Sequence, residues 1–229
     1  MKRGSLLLLA SLAAGFIPVS AEEVQRHGLV FEQWVRDSFF AGYQPASYTQ
    51  RWDIPATANK AHGGLPVNPK AIKYGAAVDL GDALRQFEID EPFLLIIGFW
   101  RQDGDTKRIV NIVASEISPS VWRQLWAPVT RADLLRLDTL IKDRSRPPEK
   151  IRRLVLQMKN AAPFTLAVMQ LNPKIDAKGQ RRLQCSLRFG DFFKRLAPEA
   201  DRAPQANPTL FGVAYPGPIS SKPRMLSPP

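Results

Sequence analysis

The clearest alternation of apolar and polar segments lies in the middle of the chain. Residues 93–100 are apolar at successive positions and have the length of a β-strand, so both faces of that strand should be buried. We therefore predict a central strand here. A polar turn containing Gly104 follows at residues 102–106, and residues 108–114 are predicted to return as a second strand.

Apolar residues at helical spacing predict an amphipathic helix over residues 27–41, ending near Gly42. Three further helices are predicted in succession over residues 118–126, 131–142 and 148–160. The last of them has a proline in its first turn, a position that suits a helix start.

Shorter segments complete the pattern. Short helices are predicted at residues 79–87, with Asp79 as a cap, and at residues 191–196. Pro69 places its extended segment at the edge of a sheet or at a bulge. This order of elements predicts an α/β (α+β) domain in which helices flank a central mixed β-sheet. The extended segments are predicted at residues 47–54, 66–74, 164–171 and 182–189.

The two ends of the chain differ from this domain. A basic start, an apolar stretch and small residues predict a secretory signal peptide over residues 1–21, with an uncleaved anchor as the alternative. Residues 197–229 are rich in proline without periodic apolar positions, which predicts a disordered or wrapping tail. The expected domain is residues 22–196, secreted or periplasmic, and cytoplasmic only if translation starts later.

The composition narrows the possible partners and cofactors. A formal net charge of +11 favours polyanions, namely nucleic acid, anionic lipid or acidic polysaccharide. Cys185 is the only cysteine, which excludes an intramolecular disulfide and cysteine-rich zinc sites. With 2 histidines, a bound metal would be held mainly by carboxylates, which favours magnesium, calcium or manganese. The sequence contains no P-loop, serine-hydrolase elbow or HExxH motif.

Three residues suited to phosphodiester chemistry follow one another along the predicted elements. Glu32 lies on the first helix, Asp53 ends the predicted strand 47–54, and Lys70 lies on the next extended segment. This order resembles the PD-(D/E)XK superfamily of nucleases, which implies a restriction-endonuclease-like fold. Further stretches that resemble restriction-enzyme-type domains lie at residues 31–36, 66–70, 81–87, 172–176 and 180–186.

The resemblance implies a role for each of these residues. Asp53 would be the principal metal ligand, Lys70 would orient the attacking water or contact the phosphate, and Glu32 would be an auxiliary acid. The implied cofactor is Mg²⁺ or Mn²⁺, which neutralises charge on the scissile phosphate. The acidic position two residues before the lysine holds Asn68, which can ligate a metal but adds no charge. The candidates to replace that acid are Asp79, Asp82 and Glu88.

The predicted function is an exported, metal-dependent endonuclease that acts on nucleic acid, with DNA favoured and a homodimer left open. The alternative is a non-catalytic exported protein that binds nucleic acid or the envelope on a nuclease-like scaffold, and Asn68 favours it. Each site residue also has an ordinary explanation, as a solvated helix residue, a turn cap or a surface lysine. The predicted nucleic-acid surface is a basic and polar hairpin whose side chains would contact phosphates and bases, and the alternative is an ordinary solvated hairpin. Its residues are Lys174, Lys178, Gln180, Arg181, Arg182 and Gln184.

Overall fold

The computed structural model of the protein describes residues 22–47, 50–176 and 179–220. The predicted signal peptide and Lys178 therefore lie outside the described residues. The α-helices are α1 (Glu22–Phe39), α2 (Ala83–Phe87), α3 (Pro119–Trp126), α4 (Arg131–Lys142), α5 (Pro148–Lys159) and α6 (Phe189–Arg195). The strands are β1 (Val67–Lys73), β2 (Val78–Asp82), β3 (Phe93–Asp103), β4 (Thr106–Ile117), β5 (Gln170–Ile175), β6 (Arg181–Leu187), β7 (Thr209–Leu210), β8 (Val213–Ala214) and β9 (Ile219–Ser220).

Two sheets organise these elements. The first has the strand order β1-β3-β4-β9, with β1 parallel to β3 and the other pairs antiparallel. Residues 93–99 of β3 are all buried, which confirms the prediction of a central strand with two covered faces. The second sheet is antiparallel, with the order β2-β6-β5, and β7 pairs with β8 apart from both. The mixed α/β class is confirmed, although the strands are divided between sheets.

Each face of the first sheet packs against a different set of elements. Helix α1 places Phe31 and Val35 in a cluster with Val67, Leu94 and Ile96. Helices α3 to α6 and the second sheet pack in a larger cluster against the opposite face. Because β-strand side chains alternate between faces, β1 and β3 contribute to both clusters. No helix in the described part of the chain is long and apolar enough to cross a membrane.

Three of the predicted elements were wrong in type or extent. The described residues of segment 47–54 form no strand, and only Ile54 makes an isolated bridge to Val67. Segment 79–87 is divided between β2 and α2, whose cap is Asp82 rather than Asp79. Segment 164–171 begins with a 3₁₀ turn, and β5 starts near its end. Short apolar runs do not distinguish strand from helix by periodicity alone, so long-range pairing decided each case.

The segment predicted as a disordered or wrapping tail wraps over the first sheet as far as residue 220. Asn111 on β4 donates through Nδ2 to the carbonyl oxygens of Asp201 and Ala203, each at 2.8 Å. Strand β9 then pairs with the start of β4, and Leu210 is buried with helix α1. Proline and low periodicity do not prevent such a segment from packing when a buried amide satisfies its backbone carbonyls.

Candidate functional site

A pocket of about 510 Å³ lies where β1 of the first sheet meets β2 of the second. Strand β1 is the outermost strand of its sheet, so helix α1 also reaches the pocket with Gly28 and Glu32. The pocket is polar and carries charges of both signs. Its ionisable residues are Glu32, Arg51, Asp53, Lys70, Asp79, Asp82 and Arg85.

Lys70 and Asp53 form a direct ion pair in this pocket. The Lys70 Nζ donates to Asp53 Oδ2 at 2.7 Å, and the two side chains are 24% and 33% exposed. Their alignment follows from the bridge next to them, in which Ile54 and Val67 exchange backbone hydrogen bonds of 3.1 and 2.8 Å. The described residues of the predicted strand 47–54 form no strand, yet its last residue, Ile54, still bridges to Val67 of β1 and brings Asp53 to Lys70.

Glu32 lies on helix α1 beside the fully buried Phe31 and completes this group. Burial raises the pKa of Glu32 from 4.5 to about 6; the ammonium of Lys70 opposes this shift and the carboxylate of Asp53 adds to it. Burial would lower the pKa of Lys70, but Asp53 and Glu32 outweigh it and raise that pKa above its usual 10.5. The structure thus brings the three predicted residues into one electrostatic environment, with Lys70 charged.

Asn68 also lines the pocket and is 5% exposed. It lies two residues before Lys70 on β1, so both side chains point to the same face of the strand. Of the three acids considered as replacements, Asp79 and Asp82 line the pocket. Glu88 is instead held outside it by Arg131, whose Nε donates to Oε1 at 2.9 Å.

A β-bulge positions the two replacement acids. The register between β2 and β6 shifts between Asp79 and Gly81, and Gly81 has a φ of +86° that favours glycine. Asp79 Oδ1 accepts a hydrogen bond from the Gly81 backbone N–H at 2.9 Å. Asp82 Oδ1 accepts from the Arg85 N–H at 2.9 Å and caps helix α2. Both acids are therefore fixed by backbone hydrogen bonds within the pocket wall.

The pocket offers hard oxygen donors from Glu32, Asp53 and Asn68, which suit Mg²⁺ or Mn²⁺ by type. Two of these three donors are charged. Among the residues that the structure describes, no three His, Cys, Asp or Glu side chains are grouped as a ready metal site. Since Asn68 stands where the third acid is expected, water ligands would have to complete the coordination of a divalent cation.

The predicted nucleic-acid surface is only partly assembled. Lys174 on β5 and Arg182 on β6 are directly opposite each other and exposed, and Gln184 follows on the same face and lines the pocket. Gln180 lies at the hairpin turn, where its N–H donates to Asp176 Oδ1.

Arg181 is not brought together with the other members of that surface. It lies on the opposite face of β6, and its Nη1 donates to the carbonyl oxygen of Ile141 at 3.4 Å. Its position between the hairpin and helix α4 indicates a structural role.

Arg51 and Arg85 were missed by the sequence analysis, although both line the pocket. No local motif distinguishes them from the other arginines of the chain. A cap pattern could have identified Asp82, because it lies three residues before Arg85 at the start of a helical stretch. The pocket position of the arginines follows from the meeting of two sheets, which the sequence pattern did not indicate.

No family model matches this chain, and no curated protein or solved structure matches it.

Proposed function

We propose that the protein is a metal-dependent phosphodiesterase that cleaves nucleic acid, with DNA as the favoured substrate. One observation carries the proposal: Glu32, Asp53 and Lys70 come from three separate segments and meet in one polar pocket, with Lys70 Nζ 2.7 Å from Asp53 Oδ2. Their order along the chain is the one that resembles PD-(D/E)XK nucleases. The net charge of +11 suits a polyanionic substrate.

Each side chain has a definite part in this chemistry. Asp53 and Glu32, with the amide oxygen of Asn68, would hold Mg²⁺ or Mn²⁺, which supplies charge neutralisation at the phosphate and a more acidic bound water. Lys70 keeps its charge at neutral pH and donates to a phosphate oxygen or to the attacking water. Attack by the water oxygen on phosphorus would break one P–O ester bond, with the proton of the water released to solvent and the leaving alkoxide taking a proton from solvent.

The exposed hairpin extends this site along a substrate strand. Lys174, Arg182 and Gln184 share the face of β5 and β6 that leads away from the pocket, and each can donate to phosphate oxygens. Export of such an enzyme would direct it at DNA outside the cell and spare the host chromosome. The export prediction depends on residues 1–21, outside the described part of the chain.

A second candidate function is nucleic-acid or envelope binding without catalysis. The Lys70–Asp53 ion pair favours it, because the ammonium already satisfies the acid that would be the principal metal ligand. Asn68 favours it as well, since it leaves the pocket without a third acid at the expected position.

A cleavage assay separates the two candidates. Supercoiled plasmid is incubated with the purified protein in Mg²⁺, Mn²⁺ or Ca²⁺, and nicking is expected with Mg²⁺ or Mn²⁺. Asp53→Ala and Lys70→Ala should abolish nicking while circular dichroism stays unchanged. Matched controls are Lys73→Ala, an exposed lysine on the same strand, and Asp105→Ala in the β3–β4 turn. Metal-independent binding without cleavage in any metal would favour the second candidate, and equal nicking by Asp53→Ala would exclude the proposed site.

A further inference from the structure

The three cations of the pocket differ in how their charges are neutralised. Lys70 is paired with Asp53 inside the pocket. Arg51 is bound by groups that do not line the pocket. Its Nη2 lies 2.6 Å from Asp90 Oδ1 and donates to the Glu88 carbonyl oxygen at 2.6 Å. Arg85 forms no ion pair with any described residue, although four acids line the same pocket.

The surroundings of Arg85 leave its guanidinium available. Its one described side-chain hydrogen bond is long, at 3.5 Å from Nη1 to the carbonyl oxygen of Gln50. The nearby Asp82 carboxylate accepts the backbone N–H of Arg85 as a helix cap, and Asp79 accepts that of Gly81. A half-buried guanidinium with five donors and one weak contact is suited to bind an oxyanion through two parallel hydrogen bonds.

The position of Arg85 shows where that oxyanion would lie. Arg85 follows β2 on helix α2, and Asp82 at the end of β2 is in register with Gln184 on β6. Gln184, which also lines the pocket, lies two residues from Arg182 and on the same face of β6. Successive anionic groups of one chain could contact Lys70, Arg85 and then the Lys174–Arg182 pair.

We propose that Arg85 binds a phosphate of the substrate next to the one that is cleaved, and that the site therefore takes a polynucleotide strand rather than a small phosphodiester. The inference depends on the proposed function for the reaction at Lys70 and Asp53. Arg85 is a specificity residue in this arrangement, because it contacts the substrate away from the reacting phosphorus.

The test compares a polymer with a small diester. Binding of the full-length protein to a fluorescent DNA oligonucleotide is measured by anisotropy in Ca²⁺ over a series of salt concentrations. Hydrolysis of bis(p-nitrophenyl) phosphate is measured in Mn²⁺. Arg85→Ala should weaken oligonucleotide binding about tenfold and reduce the salt slope by about one, whereas diester hydrolysis should fall by a much smaller factor. Arg85→Lys should retain part of the binding because the charge remains.

The matched control is Arg123→Ala, which also removes an arginine from the last turn of a helix but lies outside the pocket. It should leave both measurements unchanged. Binding and salt slope equal to wild type in Arg85→Ala would overturn the inference, as would an equal fold loss of oligonucleotide binding and diester hydrolysis. If the wild type hydrolyses neither substrate, the proposed function fails, while the binding comparison still decides the role of Arg85.

Discussion

A Cβ atom at Gly98 would lie 2.6 Å from Cζ of Phe31, so helix α1 packs against β3 at a distance that only glycine allows. Gly98 lies opposite Ala71 in the parallel pair of β3 and β1. Phe31 is fully buried, and Glu32 follows it directly on the helix. The close approach at Gly98 therefore holds this part of helix α1 against the sheet that carries Lys70.

Replacing Gly98 by alanine should lower the free energy of unfolding by about 1–3 kcal/mol, since the ring of Phe31 is confined and must move. Urea unfolding monitored by circular dichroism measures the change. The matched control is Gly190→Ala in helix α6, where a Cβ would meet no atom within 4 Å. That variant should be neutral or slightly more stable. Equal stability of Gly98→Ala and wild type would contradict the close packing of α1.

Glu32→Gln should stabilise the protein at high pH. The folded pKa of Glu32, about 6, lies above its ordinary 4.5, so the folded state binds this proton more tightly than the unfolded state. The resulting stability is present below pH 4.5 and is lost as the pH rises through 6. Glutamine avoids that loss, so the variant should exceed wild type by at most about 2 kcal/mol at pH 8 and by little at pH 4.5. Parallel urea titrations at both pH values check this, and a constant difference would count against it.

Binding of Mn²⁺ should depend on the same carboxyl group. Because protonated Glu32 is a poor ligand, affinity should fall as the pH is lowered from 7 to 5, with a midpoint near 6. Isothermal titration calorimetry at several pH values measures the affinity. In Glu32→Gln the affinity should be lower and its change around pH 6 should disappear. A wild-type midpoint preserved in the variant would assign the titration to another group.

Asn68→Asp should tighten Mn²⁺ binding by at least about tenfold, because it adds a negative charge beside the existing donors. Plasmid nicking should increase as well if the missing acid limits activity. Asn160→Asp, at the exposed end of α5, is the matched control and should change neither quantity. Unchanged metal affinity in Asn68→Asp would show that this position is not a ligand position.

Much of the fold was predictable from local pattern. The central strand at residues 93–100 and the helices near residues 118–126, 131–142 and 148–160 were confirmed within a few residues. In each case one face or both faces of the element must be apolar to be buried. The spacing of apolar residues along the sequence therefore follows the period of the helix or strand. The order of Glu32, Asp53 and Lys70 along the predicted elements could also be recognised in the sequence, although their functional roles stay a proposal.

Which residues line the pocket was determined by the tertiary structure alone. Segment 47–54 looks like a strand, but of its described residues only Ile54 pairs. Asp82 rather than Asp79 caps α2 because a bulge at Gly81 separates them. Arg85 and Arg181 look alike in sequence, yet one lines the pocket and the other contacts helix α4. Which strand edges meet depends on pairings between residues far apart in the chain, and no local period encodes those pairings.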